Sequence, residues 1–188
     1  LQPVLHEPHL RLLCHEGEFQ PLLGELALHK LDAVLADRPA PPNPAPKTTP
    51  QLLGTSAIAW SAPARWAQAA RAILPYSLAQ VPLLLPTEHA AVRARINHWL
   101  EREHIRPHIA GEFEDSALLS TFAASGMGVM PAPASLGAHL AQTCALEWVG
   151  TMPDVHEQFH LIYSARKVMH PLLTRLLAAA ADEMLLNE

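Results

Sequence analysis

The sequence is poor in cysteine, poor in basic charge and without a long apolar run, and each absence excludes something. There are two cysteines, Cys14 and Cys144, and no CxxC pair. That rules out a disulfide framework and suits a reducing compartment. Lys and Arg number 13 against 18 Asp and Glu, for a formal net charge of −5 and a pI near 6.2. Holding nucleic acid takes a basic patch, so this chain is not expected to grip DNA by itself. No apolar run approaches the roughly 20 residues of a membrane span. The opening "LQPVLHEPHL" has no basic stretch followed by an apolar one, so no signal peptide is expected. Position 1 is Leu rather than Met, as expected of a fragment or a processed product. What is present is 188 residues of 49% hydrophobic and 16% charged composition. That is a globular chain, long enough for one domain or two small lobes.

Along the chain, strand-like and helix-like patterns alternate. "LRLLC" (10–14) reads as a buried strand, and "FQPLLGELALHKL" (19–31) as a helix with Leu22, Leu23, Leu26 and Ala27 on one face. "DAVLA" (32–36) is a second strand. Residues 39–50 carry six prolines and are expected to form an extended surface connection, because proline fixes φ and lacks the backbone donor. "LLGTSAIAW" (52–60) is strand-like, and 63–72 is Ala-rich and helical. "VPLLLP" (81–86) is a strand, followed by Thr87 as a cap for a helix over 88–104 with Val92, Ile96, Trp99 and Leu100 as its stripe. "PHIAGEF" (107–113) is a strand. Glu114, Asp115 and Ser116 offer caps for helix 116–125, with Leu118, Leu119 and Phe122 inward and Gly126 as its stop. "GVMP" (128–131) is a short strand, and a long helix starts at Pro171. Alternation of this kind predicts an α/β fold: open, mostly parallel sheets covered by helices, in two Rossmann-like lobes joined by crossing strands.

The sharpest motif is His156-Glu157-Gln158-Phe159-His160, H-E-x-x-H. On a helix it binds zinc, the two histidines converging on one ion and the glutamate activating a water. Asp154 and Glu157 would make a passable capping box for such a helix. In a strand, Phe159, Leu161 and Tyr163 share one face instead. Residues four apart in a strand are about 13 Å apart and cannot share an ion. A strand is expected, and with it no metal site. The other histidines lack ligand spacing, and Gly126-Met127-Gly128 lies after a helix rather than after a strand, the wrong order for a phosphate cradle. No nucleophile–base set is legible, and Cys14 is expected to be inert within its strand. In open α/β sheets ligands bind beyond the carboxyl ends of strands at a switch in strand order. An order of 2-1-3 in each lobe would put Thr87 and Glu88 at that point in the second lobe, with free helix amides able to take an anion. Asp37 and Arg38 occupy the corresponding exit in the first. The plain alternative is that Thr87 is only a helix cap and Asp37 only a loop residue.

Three stretches carry a resemblance. "EFEDSALLSTFAASGMGVMPAP" (112–133) resembles the second-lobe segment of LysR-type transcriptional regulators. "EQFHLIYSARKVMHPLLTRLL" (157–177) resembles their return segment, and "LLCHEGEFQPLLGELALHKLDAVLADRP" (12–39) their first lobe. Within the family, Cys-x-Glu-Gly, Leu-Ala-x-His-x-Leu-Asp and Ala-Asp-x-Pro are most similar to a regulator of a Na⁺/H⁺ antiporter gene. The resemblance implies a bacterial, cytoplasmic, non-enzymatic effector domain of the periplasmic-binding-protein-like type 2 fold. It implies no cofactor, a small effector or cation (Na⁺ in the subfamily) in the inter-lobe cleft, and assembly as dimers or tetramers. DNA would be bound only through an N-terminal helix-turn-helix not in this chain, and no membrane is involved. By resemblance, lobe one is 1–54 plus 155–188 and lobe two is 55–154. The first strand of lobe one is then missing, and "LQPVL" looks like the last turn of the first helix. Effector positions carry over to Asp37 and Arg38, to Thr87 with Glu88 beside it, and to Glu114, Asp115 and Ser116. A solute-binding protein of a transporter shares the fold and is the alternative, with a zinc hydrolase third.

Overall fold

The computed structural model describes residues 7–42, 48–164 and 170–185. The expected helix turn at 1–5, part of the proline-rich connection (43–47) and the link after Ser164 (165–169) lie outside the described residues. By contact, the chain divides into two compact units, Leu1–Gly54 with Gln158–Glu188, and Thr55–Glu157.

The first unit is built on helix α1 (Phe19–Ala27) and strand β1 (Ala33–Ala36). β1 pairs antiparallel with the end of the long strand β6 (Leu146–Ser164), Val34 opposite Ile162 and Ala36 opposite His160. Leu26, Val34, Ala40 and Ile162 form its buried core, with Phe19, Leu22, Leu23, Leu31 and Ala36 packed around them. α1 ends sooner than its apolar spacing suggests. Leu28 and Lys30 donate to carbonyls of the last turn, and His29 adopts a left-handed φ of 60°, a C-terminal geometry that closes the helix. The expected strand at 10–14 does not form. Leu12 and Leu13 are 51% and 67% exposed, and Cys14 is exposed in irregular chain rather than inert in a core. An apolar run becomes a strand only where a neighbour satisfies its donors and acceptors, and none of the described residues pairs with this one.

The second unit is centred on β3 (Pro82–Pro86) and β4 (His108–Phe113), which are parallel. Leu83 bridges to Val129 in parallel on the other side of β3, with Leu84 N donating to Val129 O and Val129 N donating to Pro82 O, both at 2.8 Å. β5 (Met130–Pro133) then pairs antiparallel with the end of β2 (Thr48–Pro63), from Ile58 opposite Pro133 to Ser61 opposite Met130. The order is thus β4-β3-(129), the expected 2-1-3. The expectation of mostly parallel sheets holds for β3 and β4 but not for β1, β2 and β5, whose pairings are antiparallel. β2 begins at Thr48, earlier than its apolar run. The four strands β1-β6-β2-β5 form one sheet.

Helices α2 (Ala64–Arg71), α3 (Ala91–Arg102), α4 (Ser116–Ala124) and α5 (Gly137–Cys144) cover these strands, and α6 (Pro171–Leu185) closes the described chain. Val92, Ile96, Trp99 and Leu100 of α3 pack with Leu83 and Leu85 of β3 and with Trp60, whose ring lies 6.3 Å from that of Trp99. α4 is rotated from its expected face. Leu119 and Ala123, one turn apart, are buried, whereas Leu118 and Phe122 are 48% and 41% exposed, Phe122 lying 5.1 Å from the Phe113 ring. Its C-terminus is fixed by Gly126, at φ 95°, whose carbonyl accepts from Trp66 Nε1 at 2.9 Å. Residues 156–160 lie inside β6, so the H-E-x-x-H string is strand, as expected. Among the described residues no helix is long and apolar enough to cross a membrane.

The close seat of residue 129 on β3 depends on Gly128, where an added Cβ would stand 2.6 Å from the Pro82 carbonyl oxygen. A clash with backbone cannot relax by a rotamer change. Gly128→Ala is therefore expected to destabilise the protein by roughly 1–3 kcal/mol, read as a lower urea midpoint. Gly54→Ala, with open space around the new methyl, should stay within about 0.5 kcal/mol.

Candidate functional site

Two strand exits meet in the second unit. β3 and β4 end level, Pro86 opposite Phe113, and the amide of Thr87 donates to Phe113 O at 3.0 Å. The expected residues Thr87, Glu88, Glu114, Asp115 and Ser116 are therefore brought together at one end of a parallel pair. Asp115 caps α4, its Oδ1 accepting from Leu118 N at 2.5 Å. Glu114 lies 3.7 Å from His89.

Thr87 does not cap a helix. α3 starts at Ala91, three residues later than Thr87 capping would require, and its cap position, Ala90, offers no side-chain acceptor. Thr87 O instead accepts from Ala90 N at 3.1 Å, closing a turn. Helix amides beside Thr87 and Glu88, expected to take an anion, are therefore not found there, since the helix begins only at Ala91. Arg93, which sequence reasoning passed over, fills the space. Its side chain is 5% exposed and binds Glu88 at 3.3 Å, Glu112, the Pro86 carbonyl and Asn97 Oδ1 at 2.9 Å. Asn97 also donates to Glu88 at 3.3 Å. A single buried guanidinium thus ties both strand ends and the connecting turn to α3. The sequence signal was present: Arg93 and Asn97 are one turn apart, and Arg93 adjoins the apolar stripe.

In the first unit, Asp37 and Arg38 follow directly on β1. Arg38 Nε and Nη2 donate to Asp37 Oδ1 and Oδ2 at 2.8 and 3.2 Å, a two-pronged ion pair that raises the Arg38 pKa further. The guanidinium also lies 5.6 Å from the centre of the Phe19 ring at the start of α1. Beside this pair is His160, also missed. It is buried opposite Ala36, with Nε2 3.4 Å from Gln158 Oε1 and Nδ1 without a hydrogen-bond partner among the described residues. Burial pushes the His160 pKa down, the nearby Asp37 charge opposing it. Strand alternation could have found it, since residue 160 shares the face of buried Ile162. His156, by contrast, is exposed. It lies four positions along the strand from His160, about 13 Å away. No cluster of three or more His, Cys, Asp or Glu that could hold a metal occurs among the described residues. The zinc-hydrolase alternative fails on this geometry.

Residues 5–185 match the family model described as the LysR substrate binding domain. The chain belongs to that family. Its effector domains are non-enzymatic regulatory modules of the periplasmic-binding-protein-like type 2 fold, and they bind small-molecule effectors. The chain is 25% identical over 175 residues to the transcriptional activator protein NhaR of Escherichia coli K12, covering 92% of this chain and 56% of that one. It thus spans about half the length of this curated relative. Among solved structures it is similar to the regulatory domain of HypT from Salmonella typhimurium, with TM-score 0.70, 17% identity, 96% of this chain and 88% of that one. It is also similar to the effector-binding domain of QuiR in complex with shikimate, with TM-score 0.63, 15% identity, 89% of this chain and 78% of that one.

The depressed pKa of His160 has a definite sign. The unfolded chain, with an ordinary histidine near pH 6.5, binds more protons than the folded one as pH falls. Stability from the neutral ring is present above that pH and is lost progressively below it, towards the lower folded pKa. Thermal midpoints measured from pH 7.5 to 5 should fall, and His160→Gln should flatten part of that slope. An unchanged slope would show that the ring does not titrate differently in the fold.

Proposed function

We propose that this chain is the ligand-sensing and oligomerisation domain of a LysR-type, DNA-binding transcriptional activator acting in the cytoplasm. The observation that carries this reading is the family match running from residue 5 to residue 185. DNA contact falls to a helix-turn-helix outside this chain, consistent with the net charge of −5. Effector-contacting groups are Asp37 and Arg38 in the first unit, and Thr87, Glu88, Glu114, Asp115 and Ser116 in the second. The strand ends supply them in the manner of open α/β sheets, where the pleat stops and backbone and side-chain groups are free to face a ligand.

The finer reading is control of a Na⁺/H⁺ antiporter gene in response to sodium or alkaline pH. It is supported by the similarity to NhaR and by the first-lobe motifs around Asp37. Sodium is a hard cation that takes oxygen donors, and Asp37 with backbone carbonyls supplies them. Arg38 binds both Asp37 oxygens, so sodium entry opens that ion pair and competes with the guanidinium.

Footprinting of the full-length protein on the DNA flanking its own gene tests both levels. A protected site is expected, and sodium, exchanged for choline at constant ionic strength, should change its extent in the low millimolar range. Asp37→Ala should abolish the sodium response, and Arg38→Gln should shift it to lower sodium. Absence of any protected site overturns the regulator reading. Protection that ignores sodium overturns the sodium reading alone.

A further inference from the structure

We draw no further inference here: the strongest candidate, the exposed apolar patch of Ile109, Leu118, Phe122 and Met127 around β4 and α4 of the second unit, carries nothing because nothing in the structure shows what covers it.

Discussion

The parallel pairing of β3 with β4 is the constraint on which the second unit depends. Because the two strands run the same way and end level, their carboxyl ends deliver Thr87 and Glu114 side by side. An antiparallel pair would have sent one of these exits to the opposite edge. The backbone bond from Thr87 to Phe113 continues the ladder one step past the strands, so the turn that follows is already fixed by sheet register. The other side of β3 is occupied by residue 129, and that approach is possible only because Gly128 has no side chain. Strand order, the placement of the two strand exits and one glycine are therefore a single arrangement.

Arg93 explains how charged residues can be concentrated at that point. Glu88, Glu112, Glu114 and Asp115 would repel one another at the end of two strands. A guanidinium inserted beneath them offsets two of these charges at once, and Asp115 spends its charge on the α4 amides, where the helix dipole favours it. The cost of burying Arg93 is limited because its donors are met by a carbonyl, an amide oxygen and two carboxylates. The carboxylates remain largely in water, so the ion pairs are screened and their role is more geometric than stabilising.

Much of this was legible in the sequence. The spacing of Val92, Ile96, Trp99 and Leu100 gave the packed face of α3, and the apolar runs at 81–86 and 107–113 gave β3 and β4. Asp115 could be recognised as a cap because the chemistry is local. What was not legible depended on neighbours distant in sequence. "LRLLC" has strand composition, yet among the described residues β1 pairs only with β6, and Leu12, Leu13 and Cys14 stay in solvent. Leu118 and Phe122 match helical spacing as well as Leu119 does, but only packing decides which stripe is buried. The start of α3 was misplaced because Thr87 is a good cap residue, while the ladder to Phe113 holds it in a turn. His160 and Arg93 escaped notice for a related reason: a polar residue on a buried face has no pattern of its own, and its partners come from other elements.

The H-E-x-x-H string shows the same limit from the other side. Its residues have the right identity and spacing for zinc, and only the backbone decides the matter. In β6 the two histidines differ in depth: His156 is exposed and its carbonyl accepts from Arg95, while His160 is buried against β1 beside Asp37. α3 connects the two chemistries of the second unit in a comparable way. Arg93 and Asn97 face the acidic strand exits, and Arg95, His98 and Arg102 face β6, on a helix whose remaining positions are locked into the core by Ile96, Trp99 and Leu100. A helix so held moves as a rod, because close-packed interiors transmit displacement instead of absorbing it. The placement of Arg93 and Asn97 relative to Arg95, His98 and Arg102 is therefore set by the helix itself, on two faces of one packed element.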